Sequence, residues 1–339
     1  MKRSYRVAEK RPCVPNYSCS VKQVYRRATS NFADLDFVAA ALERLFADLR
    51  PVRPVRLLGS GFSSIVVETA DEIVFKIAKT IEAAHSQARE ARLLPFLHPL
   101  LAFPIPNPQW YIAASEEFPF GVIGYRKLLG LPLDPTRHVL TKETPLAQDI
   151  ATFLYALHTV PVATLQELEL REPLEHAQQL SMLEPEVLPA LQRELTPEEY
   201  QRIEQWWTAL AVDPQLHDYP VRLCHGDLWY ENLLVSQDTQ VLTGVVDFER
   251  AALGDPAQDF ATLLYLGEPF VARVLAVYAG LGGYLDPGIR YRIERLWEAR
   301  DFGGVQYSIR YADAAELRDS LRKLRQGPIL NPTHRRHDR

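Results

Sequence analysis

Residues 223–260 read LCHGDLWYENLLVSQDTQVLTGVVDFERAALGDPAQDF. An apolar triplet, a polar SQDTQ segment and the β-branched run Val241–Val246 predict two short strands joined by a tight turn. Asp227 and Asn232 lie before this hairpin and Asp247 follows it. Because the two strands are antiparallel, we expect these three side chains to meet at one end of the hairpin.

The three converging side chains suit the chemistry of phosphoryl transfer, which needs positioning and charge neutralisation more than covalent help from the protein. Hard oxygen ligands of this kind suit Mg²⁺. We interpret Asp227 as the residue that orients and deprotonates an attacking hydroxyl. In the same interpretation Asn232 supplies an amide oxygen to one Mg²⁺, and Asp247 bridges the metal ions to the phosphates.

Three motifs in this order resemble those of the aminoglycoside phosphotransferase and choline kinase superfamily of protein-kinase-like small-molecule kinases. They are HGDxxxxN from His225, DFE from Asp247 and GDPAQDFA from Gly254. Any one of these motifs alone would fit an ordinary hairpin with surface acids. Their order and spacing together do not fit such a hairpin. The resemblance covers about residues 55–324, and it implies that Asp255 and Asp259 support the catalytic loop rather than react.

The fold implied by the resemblance is α+β with two lobes, a small lobe with an antiparallel sheet plus a helix and a large, mostly helical lobe carrying the catalytic hairpin. We expect a basic N-terminal arm over residues 1–31, a nucleotide-binding lobe over 32–128, a catalytic and acceptor-binding lobe over 129–330, and a tail over 331–339. A chain of 339 residues is long enough for two such lobes.

Apolar residues at three- and four-residue spacing predict helices. These cover residues 32–49, 80–97, 270–279 and 289–324, together with a helix capped by Thr144 and ending near His158. His158 itself is expected to be a hydrogen-bonded core residue rather than a catalytic one. Thr196 and Glu199 form a capping box with a proline between them at the first helical position.

A small-residue turn precedes the catalytic region in the chain. Residues 55–69, VRLLGSGFSSIVVET, have the form strand, turn, strand. Ser60, Gly61 and Ser63 lie at the turn, where small side chains let backbone amides approach a triphosphate closely. Such a turn is weak evidence alone, and gains weight from the motifs downstream.

Lys76 interrupts an apolar strand, EIVFKIA, and a phosphate partner would explain a lysine there. The resemblance implies that Glu90, on the following helix, is the carboxylate that pairs with this lysine. Glu82 is the alternative. Farther along, the resemblance places Tyr125 beside the purine and the backbone near Arg126 and Leu128 in hydrogen bonds with it. ATP or GTP is the expected phosphoryl donor.

Composition limits where the protein acts. Hydrophobic residues make up 47% of the chain and charged residues 24%, and no apolar run approaches the roughly 20 residues of a membrane helix. Three cysteines form neither a disulfide framework nor a metal-ligand pattern, as is usual in a reducing compartment. A cytoplasmic protein without a membrane partner is therefore expected.

Charge is unevenly distributed along the chain. Residues 1–30 hold eight lysines and arginines against one acid, whereas residues 31–330 hold 41 acids against 27 lysines and arginines. The acidic excess predicts a cationic acceptor. The acids expected to face it are Glu231, Glu268, Glu298 and Asp301, although each alone fits a solvated or structural role equally well.

The predicted function is phosphorylation of a hydroxyl on a small cationic molecule, an aminoglycoside antibiotic in the first instance. A protein kinase is disfavoured, since only six residues separate Asp247 from Gly254 and no APE sequence follows. The alternatives are a kinase of choline, a sugar, homoserine or a similar metabolite, a nucleotide-binding pseudokinase, or a nucleic-acid binder acting through the basic arm. Intact Lys76, Asp227 and Asn232 argue against the pseudokinase.

Overall fold

The computed structural model describes Phe32 and residues 34–49, 51–61, 63–136, 145–168, 170, 176–238 and 241–331. The predicted basic arm over residues 1–31, the predicted cap Thr144 and all but the first residue of the predicted tail lie outside the described residues. Within the described part of the chain, no helix has both the length and the apolar character needed to cross a membrane.

The chain divides into two compact units. The first contains the described residues up to Ala84 together with Trp110–Gly124, and the second contains His85–Gln109 and the residues from Tyr125 onward. This division differs from the sequential boundary predicted between residues 128 and 129. The difference arises because apolar residues between His85 and Gln109, such as Leu94 and Leu97, pack into the core of the second unit.

A five-stranded sheet with the order β1-β2-β3-β5-β4 dominates the first unit. Its strands are β1 (Arg56–Ser60), β2 (Ser64–Glu68), β3 (Ile73–Ala78), β4 (Pro108–Ile112) and β5 (Val122–Arg126). Strands β1, β2 and β3 pair in antiparallel fashion, and Val66 lies opposite Lys76. Every residue of β3 is buried, so the sheet places Lys76 inside the unit.

Helix α1 (Leu35–Leu45) covers this sheet and is shorter than the helix predicted over residues 32–49. Asp34 sets its start, because the Asp34 carboxylate accepts the amides of Asp36 and Phe37 at 3.0 and 3.2 Å. Its apolar face joins the buried rings of the strands, and Phe46, just past its end, stacks on Phe75 with ring centroids 5.5 Å apart.

Helices make up most of the second unit. They are the second half of α2 (Ile81–Leu97), α3 (Pro145–His158), α4 (His176–Glu194), α5 (Pro197–Ala211), α6 (Ala257–Thr262), α7 (Glu268–Gly280), α8 (Ile289–Tyr311) and α9 (Ala314–Gln326). The apolar face predicted for α3 is fully buried and packs with α7 in one core cluster. The predicted capping box is present at the start of α5, with Thr196 and Glu199 bonded to each other's amides at 3.0 and 3.2 Å.

The single helical stretch predicted over residues 289–324 is two helices, because the chain turns at Ala312. This residue is left-handed, with φ 55° and ψ 39°, and Asp313 then caps α9 through bonds from the amides of Ala315 and Glu316. Aspartate competes for nearby backbone amides and therefore favours such a cap over a helix interior. Apolar periodicity alone did not reveal the break.

Two small sheets in the second unit frame the motif region. Strands β6 (Leu131–Pro132), β8 (Leu233–Val235) and β9 (Leu242–Val245) form one sheet, and β7 (Arg222–Cys224) pairs with β10 (Ala252–Gly254). The hairpin predicted from residues 233–246 is therefore confirmed as β8 and β9. Strand β10 was not predicted; its pairing with β7 means that the loops after β7 and after β9 are each held at both ends.

Candidate active site

The loop that carries Asp227 lies between β7 and β8 and is fixed by its own backbone. The amide of Trp229 donates to the Asp227 carbonyl oxygen at 2.8 Å, and the Asn232 side-chain amide donates to the same oxygen at 2.9 Å. Because the Asn232 nitrogen is used in this way, its amide oxygen is the group that can bind a metal ion. The loop therefore holds the predicted base and the first predicted metal ligand in one hydrogen-bonded turn.

Asp247 is brought to this loop by the end of β9. The Val246 amide donates to the Asn232 carbonyl oxygen at 3.0 Å, and Leu233 lies opposite Val245 in the ladder. Asp247 adopts a left-handed conformation with φ 65° and ψ 67°, which a non-glycine residue reaches only at a cost of about 1 kcal/mol or more. The surrounding hydrogen bonds hold it there, as is common where a carboxylate serves function.

His225 connects the loop that carries Asp227 to the end of β9. Its Nε2 lies 3.0 Å from the Val246 carbonyl oxygen, which can only accept, so Nε2 carries the proton. Its Nδ1 is then an acceptor, and the Asp227 amide donates to it at 3.3 Å. The ring is fully buried and meets the Phe248 ring at 4.5 Å. His225 therefore orients Asp227 from within the core, a role that the sequence did not reveal.

Asp259 on α6 holds the start of the loop. Its carboxylate accepts the amides of His225 and Gly226, each at 2.8 Å, and it is fully buried. Gly226 has φ +78°, and a Cβ there would lie 2.6 Å from the Arg250 carbonyl oxygen, so a side chain is excluded both by conformation and by space. This geometry matches the supporting role that the resemblance implied for Asp259.

His158 is a hydrogen-bonded core residue, as expected. Its Nε2 lies 3.1 Å from the Asp259 carboxylate and its Nδ1 lies 3.2 Å from the Tyr278 hydroxyl. Burial raises the pKa of Tyr278 to about 12, so the phenol stays protonated and can donate. His158 therefore bonds the same Asp259 oxygen that accepts the His225 amide, and Tyr278 bonds the other ring nitrogen of His158.

The electrostatic environment favours proton uptake by Asp227. Burial raises the pKa of this carboxyl above its usual value, and the neighbouring carboxylates Asp247 and Glu249 raise it further, whereas Arg250 and His225 oppose the shift. A carboxylate whose pKa is raised toward the neutral pH of the reaction is a better proton acceptor.

The small-residue turn of the first unit is contacted by a lysine that was not among the predicted residues, Lys79, which follows β3. The Gly61 amide donates to the Ser64 carbonyl oxygen at 3.0 Å, and the Lys79 amide donates to the Ser63 carbonyl oxygen at 2.8 Å. The Lys79 ammonium donates to the Gly61 carbonyl oxygen. Burial lowers the pKa of Lys79 below its usual value. Lysine directly after a buried strand was the sequence signal.

The other predicted nucleotide residues fall in both units. Lys76 is 6% exposed and belongs to the first unit, whereas Glu90 is 4% exposed and belongs to the second. The alternative to Glu90, Glu82, is exposed in the first turn of α2. Tyr125 is half-buried near the end of β5, and it is followed by Arg126, which is exposed, and by Leu128, which is half-buried.

Two of the four acids predicted to bind the acceptor are buried instead. The Glu298 carboxylate accepts the Trp206 indole N–H and an Arg295 N–H, both at 2.7 Å, and this residue is 3% exposed. Asp301 is also buried and pairs with Arg300 at 3.2 Å. The burial of Glu298, whose carboxylate joins α5 to α8, argues against acceptor binding by this residue, and the burial of Asp301 argues the same way.

The remaining two acids, Glu231 and Glu268, are exposed. Beside Glu231 lies a group of half-buried aromatic rings that the sequence analysis did not identify. We call it the aromatic face; it consists of Trp229, Tyr230, Tyr265 and Trp297. The Trp229 and Tyr265 rings meet edge to face at 3.8 Å, and Tyr265 meets Trp297 at 4.5 Å. Consecutive aromatic residues directly after HGDL were the available signal.

A buried arginine holds the base of the site. Arg292 on α8 donates to Asp255, which precedes α6, at 2.7 and 3.3 Å, and to Asp286 at 2.8 and 2.7 Å. These bonds keep the pKa of Asp286 below its usual range. For Asp255, burial acts to raise the pKa, but hydrogen bonds from His176 and Arg292 outweigh it and the pKa lies below its usual value.

We expect Asp286→Asn to destabilise the fold in a pH-dependent way. A carboxyl with a depressed folded-state pKa contributes stability above its unfolded pKa of about 3.9, and that contribution is lost as pH falls through the lower folded-state pKa. Urea unfolding should therefore show a stability difference from wild type that is constant from about pH 7 to 5 and shrinks below about pH 4. The exposed Asp48→Asn is the matched control. A difference that stays constant down to about pH 3 would contradict the linkage.

Comparison with known proteins places this geometry in a family. The phosphotransferase enzyme family model matches residues 54–294, most of the chain. Viomycin phosphotransferase from Streptomyces vinaceus is 36% identical over 124 residues, a match that covers 36% of this chain and 41% of that protein. The chain thus matches less than half the length of this curated relative.

Solved structures with the same fold bind nucleotides and antibiotics. The GDP and kanamycin complex of APH(2")-IIIa has a TM-score of 0.75, with 23% identity over 84% of this chain and 96% of that chain. MphH, a macrolide 2'-phosphotransferase from Brachybacterium faecium, has a TM-score of 0.63, with 23% identity over 86% of this chain and 98% of that chain. These similarities confirm the predicted α+β, kinase-like fold class.

Proposed function

The chain belongs to the phosphotransferase enzyme family, and from that premise we propose that it transfers the γ-phosphate of ATP or GTP to a hydroxyl of a small cationic antibiotic of the aminoglycoside type. The observation that carries the proposal is the convergence of Asp227, Asn232 and Asp247. The Asn232 side-chain amide donates to the Asp227 carbonyl oxygen at 2.9 Å, and the amide of Val246, next to Asp247, donates to the Asn232 carbonyl oxygen at 3.0 Å.

Asp227 acts as the general base in this proposal. Its carboxylate accepts the proton of the acceptor hydroxyl while that oxygen forms a bond to the γ-phosphorus. The bond from the γ-phosphorus to the bridging oxygen breaks, and the nucleoside diphosphate leaves. The raised pKa of Asp227 favours the proton transfer, and His225 keeps its backbone in place.

The oxygen donors of Asn232 and Asp247 fit Mg²⁺. An amide oxygen and a carboxylate are the hard ligands that this ion prefers, and no thiolate or imidazole belongs to this pair. When bound, Mg²⁺ neutralises the charge of the transferring phosphate. The two residues are held in register by the β8–β9 ladder, in which Leu233 lies opposite Val245.

We assign the nucleotide to the residues that the sequence predicts for it. Backbone amides at Ser60, Gly61 and Ser63 would bind the phosphates, together with Lys76, and Glu90 remains the carboxylate that the resemblance implies for that lysine. The half-buried Tyr125 would flank the base, and the backbone near Arg126 and Leu128 would hydrogen-bond it. The relatives include structures with GDP and with ADP, so both purines belong in the test.

The acceptor would lie against the exposed Glu231 and Glu268 and the aromatic face. An acidic surface concentrates cations, and the described acids belong to a segment, residues 31–330, with 41 acids against 27 lysines and arginines. Arg300 already lies over the Trp297 and Tyr265 rings, 3.6 and 5.6 Å from their centroids. Trp229 and Tyr230 of the aromatic face support a second candidate function, a kinase of choline or a similar quaternary ammonium compound, because cations bind over aromatic rings.

Acceptor binding is expected to weaken with salt. Raising ionic strength from about 0.1 to 1 M shortens the Debye length from ~10 to ~3 Å, so the acceptor KM should rise about tenfold with little change in kcat. Glu231→Gln should flatten this dependence, and the control Asp48→Asn, an exposed acid of the first unit, should not. An acceptor KM that is independent of salt would show that the acceptor is not recognised electrostatically.

A transfer assay with both nucleotides tests the function. The acceptors are viomycin, kanamycin, gentamicin and a macrolide, with choline and homoserine as the metabolite arm and ATP or GTP as donor. We expect phosphorylation of at least one cationic antibiotic, confirmed by the mass of the product. Transfer to choline alone would select the second candidate, and nucleotide binding without transfer to any acceptor would contradict both.

A further inference from the structure

We propose that Arg292 and His176 are positioning residues for the catalytic loop, acting through Asp255 and helix α6. The inference rests on the proposed function only for its effect on turnover. Neither residue belongs to the motif region, and Arg292 follows Asp255 by a long stretch of helix and loop. The link between them is built from consecutive hydrogen bonds.

The first step is the burial of Arg292. Its guanidinium is fully buried and donates to two carboxylates, Asp255 on one side and Asp286 on the other. Burying a charge is costly, and removing one partner of such a group is strongly destabilising. There is little spare room around it: a Cβ at Gly288 would lie 2.8 Å from Nη1 of Arg292. The guanidinium can therefore hold Asp255 in one place.

The second step is the saturation of Asp255. One oxygen receives Arg292 Nε at 2.7 Å and lies 2.9 Å from His176 Nε2, while the other receives the Ala257 amide at 2.9 Å and Arg292 Nη2 at 3.3 Å. The Ala257 bond lies at the first residue of α6. Arg292 and His176 thus fix the start of this helix through a carboxylate whose two oxygens are fully engaged.

The third step runs from α6 to the loop. Asp259 lies four residues after Asp255, about one helical turn, and its carboxylate accepts the amides of His225 and Gly226 at 2.8 Å each. A six-residue helix held at its start leaves Asp259 little freedom to shift. Displacing Asp255 should therefore loosen the two amides that precede Asp227.

The two carboxylates on Arg292 provide a matched pair of variants. Asp255 contacts both the arginine and α6, whereas the Asp286 carboxylate accepts from the arginine and from the Gly288 amide at 2.9 Å. Asp255→Asn and Asp286→Asn each remove one charge from the same buried cluster. A purely structural cluster would respond alike to both, whereas a positioning path would respond only to the first.

Amide hydrogen exchange of the unliganded full chain tests the path without any acceptor. In Asp255→Asn and Arg292→Met, exchange in peptides covering residues 223–232 should rise about tenfold relative to peptides of α5, with Arg292→Lys intermediate. Asp286→Asn should leave the ratio unchanged while lowering overall stability. If Arg292→Met does not fold, the exchange rates of Asp255→Asn and Arg292→Lys test the path.

Turnover provides the second readout, with viomycin and kanamycin as acceptors. We expect kcat to fall ~10- to 100-fold in Asp255→Asn, with KM for the nucleotide within about twofold, and Asp286→Asn to stay within about twofold of wild type. Loop exchange equal to wild type in Asp255→Asn, or raised equally in Asp286→Asn, would overturn the positioning role. Faster loop exchange with no transfer by the wild type would uphold it and reject the proposed function instead.

Discussion

Asp227→Asn is expected to lower kcat for phosphoryl transfer by at least ~10², the scale of a lost general base. Asparagine has nearly the shape of aspartate but does not accept a proton from the acceptor hydroxyl at neutral pH. The backbone bonds of the loop, including the donation from Trp229 to the carbonyl of residue 227 at 2.8 Å, do not involve the carboxylate and should persist. The variant should therefore fold and bind nucleotide.

Steady-state kinetics with viomycin or kanamycin, alongside calorimetric titration with Mg-nucleotide, separates the base from the binding site. Nucleotide affinity should stay within about twofold of wild type while kcat falls, because the acceptor proton and not the nucleotide loses its partner. Asp238→Asn, an exposed carboxylate in the β8–β9 turn, is the control. Wild-type turnover in Asp227→Asn would show that another group accepts the proton.

The sequence could predict the catalytic hairpin because its information is local. Alternation, β-branched residues and a polar turn specify β8 and β9. The spacing of Asp227 and Asn232 is read directly from the sequence, so an error of one or two residues in a strand boundary does not change it. The strand that contains Lys76 could be predicted in the same way, since a lysine in an apolar run stands out, whereas the α+β class was implied by the family resemblance. Buried β3 agrees with that expectation.

Contacts between distant parts of the chain could not be predicted in this way. Nothing near Arg292 in the sequence indicates that it lies against Asp255, because an arginine in a helix most often faces solvent. The burial of Glu298 could not be predicted for the same reason. Its carboxylate is buried against Trp206, which belongs to a helix far away in sequence. Acidic residues identify a charged chain, but only the packing shows which of them reach the surface.

Asp247→Asn is expected to lower the affinity for Mg-nucleotide by at least ~10². Loss of an outer hydrogen-bond partner of a metal site typically costs 10- to 100-fold, and loss of a directly bound carboxylate should cost no less. Asparagine is chosen over alanine because it tolerates the left-handed φ of 65° at this position, so the backbone and the β9 ladder are retained. The change therefore tests the charge and not the fold.

Titration of the variant with nucleotide in the presence and absence of Mg²⁺ gives the decisive comparison. If Asp247 ligates the metal, the enhancement of affinity by Mg²⁺ should disappear while metal-free binding remains near the wild-type value. Glu249→Gln, which removes a neighbouring carboxylate, is the matched control for a general loss of negative charge. Equal losses of Mg-nucleotide affinity in both variants would contradict metal ligation by Asp247. Such losses would come from the electrostatic field that both carboxylates share, whereas a ligand bond belongs to one carboxylate.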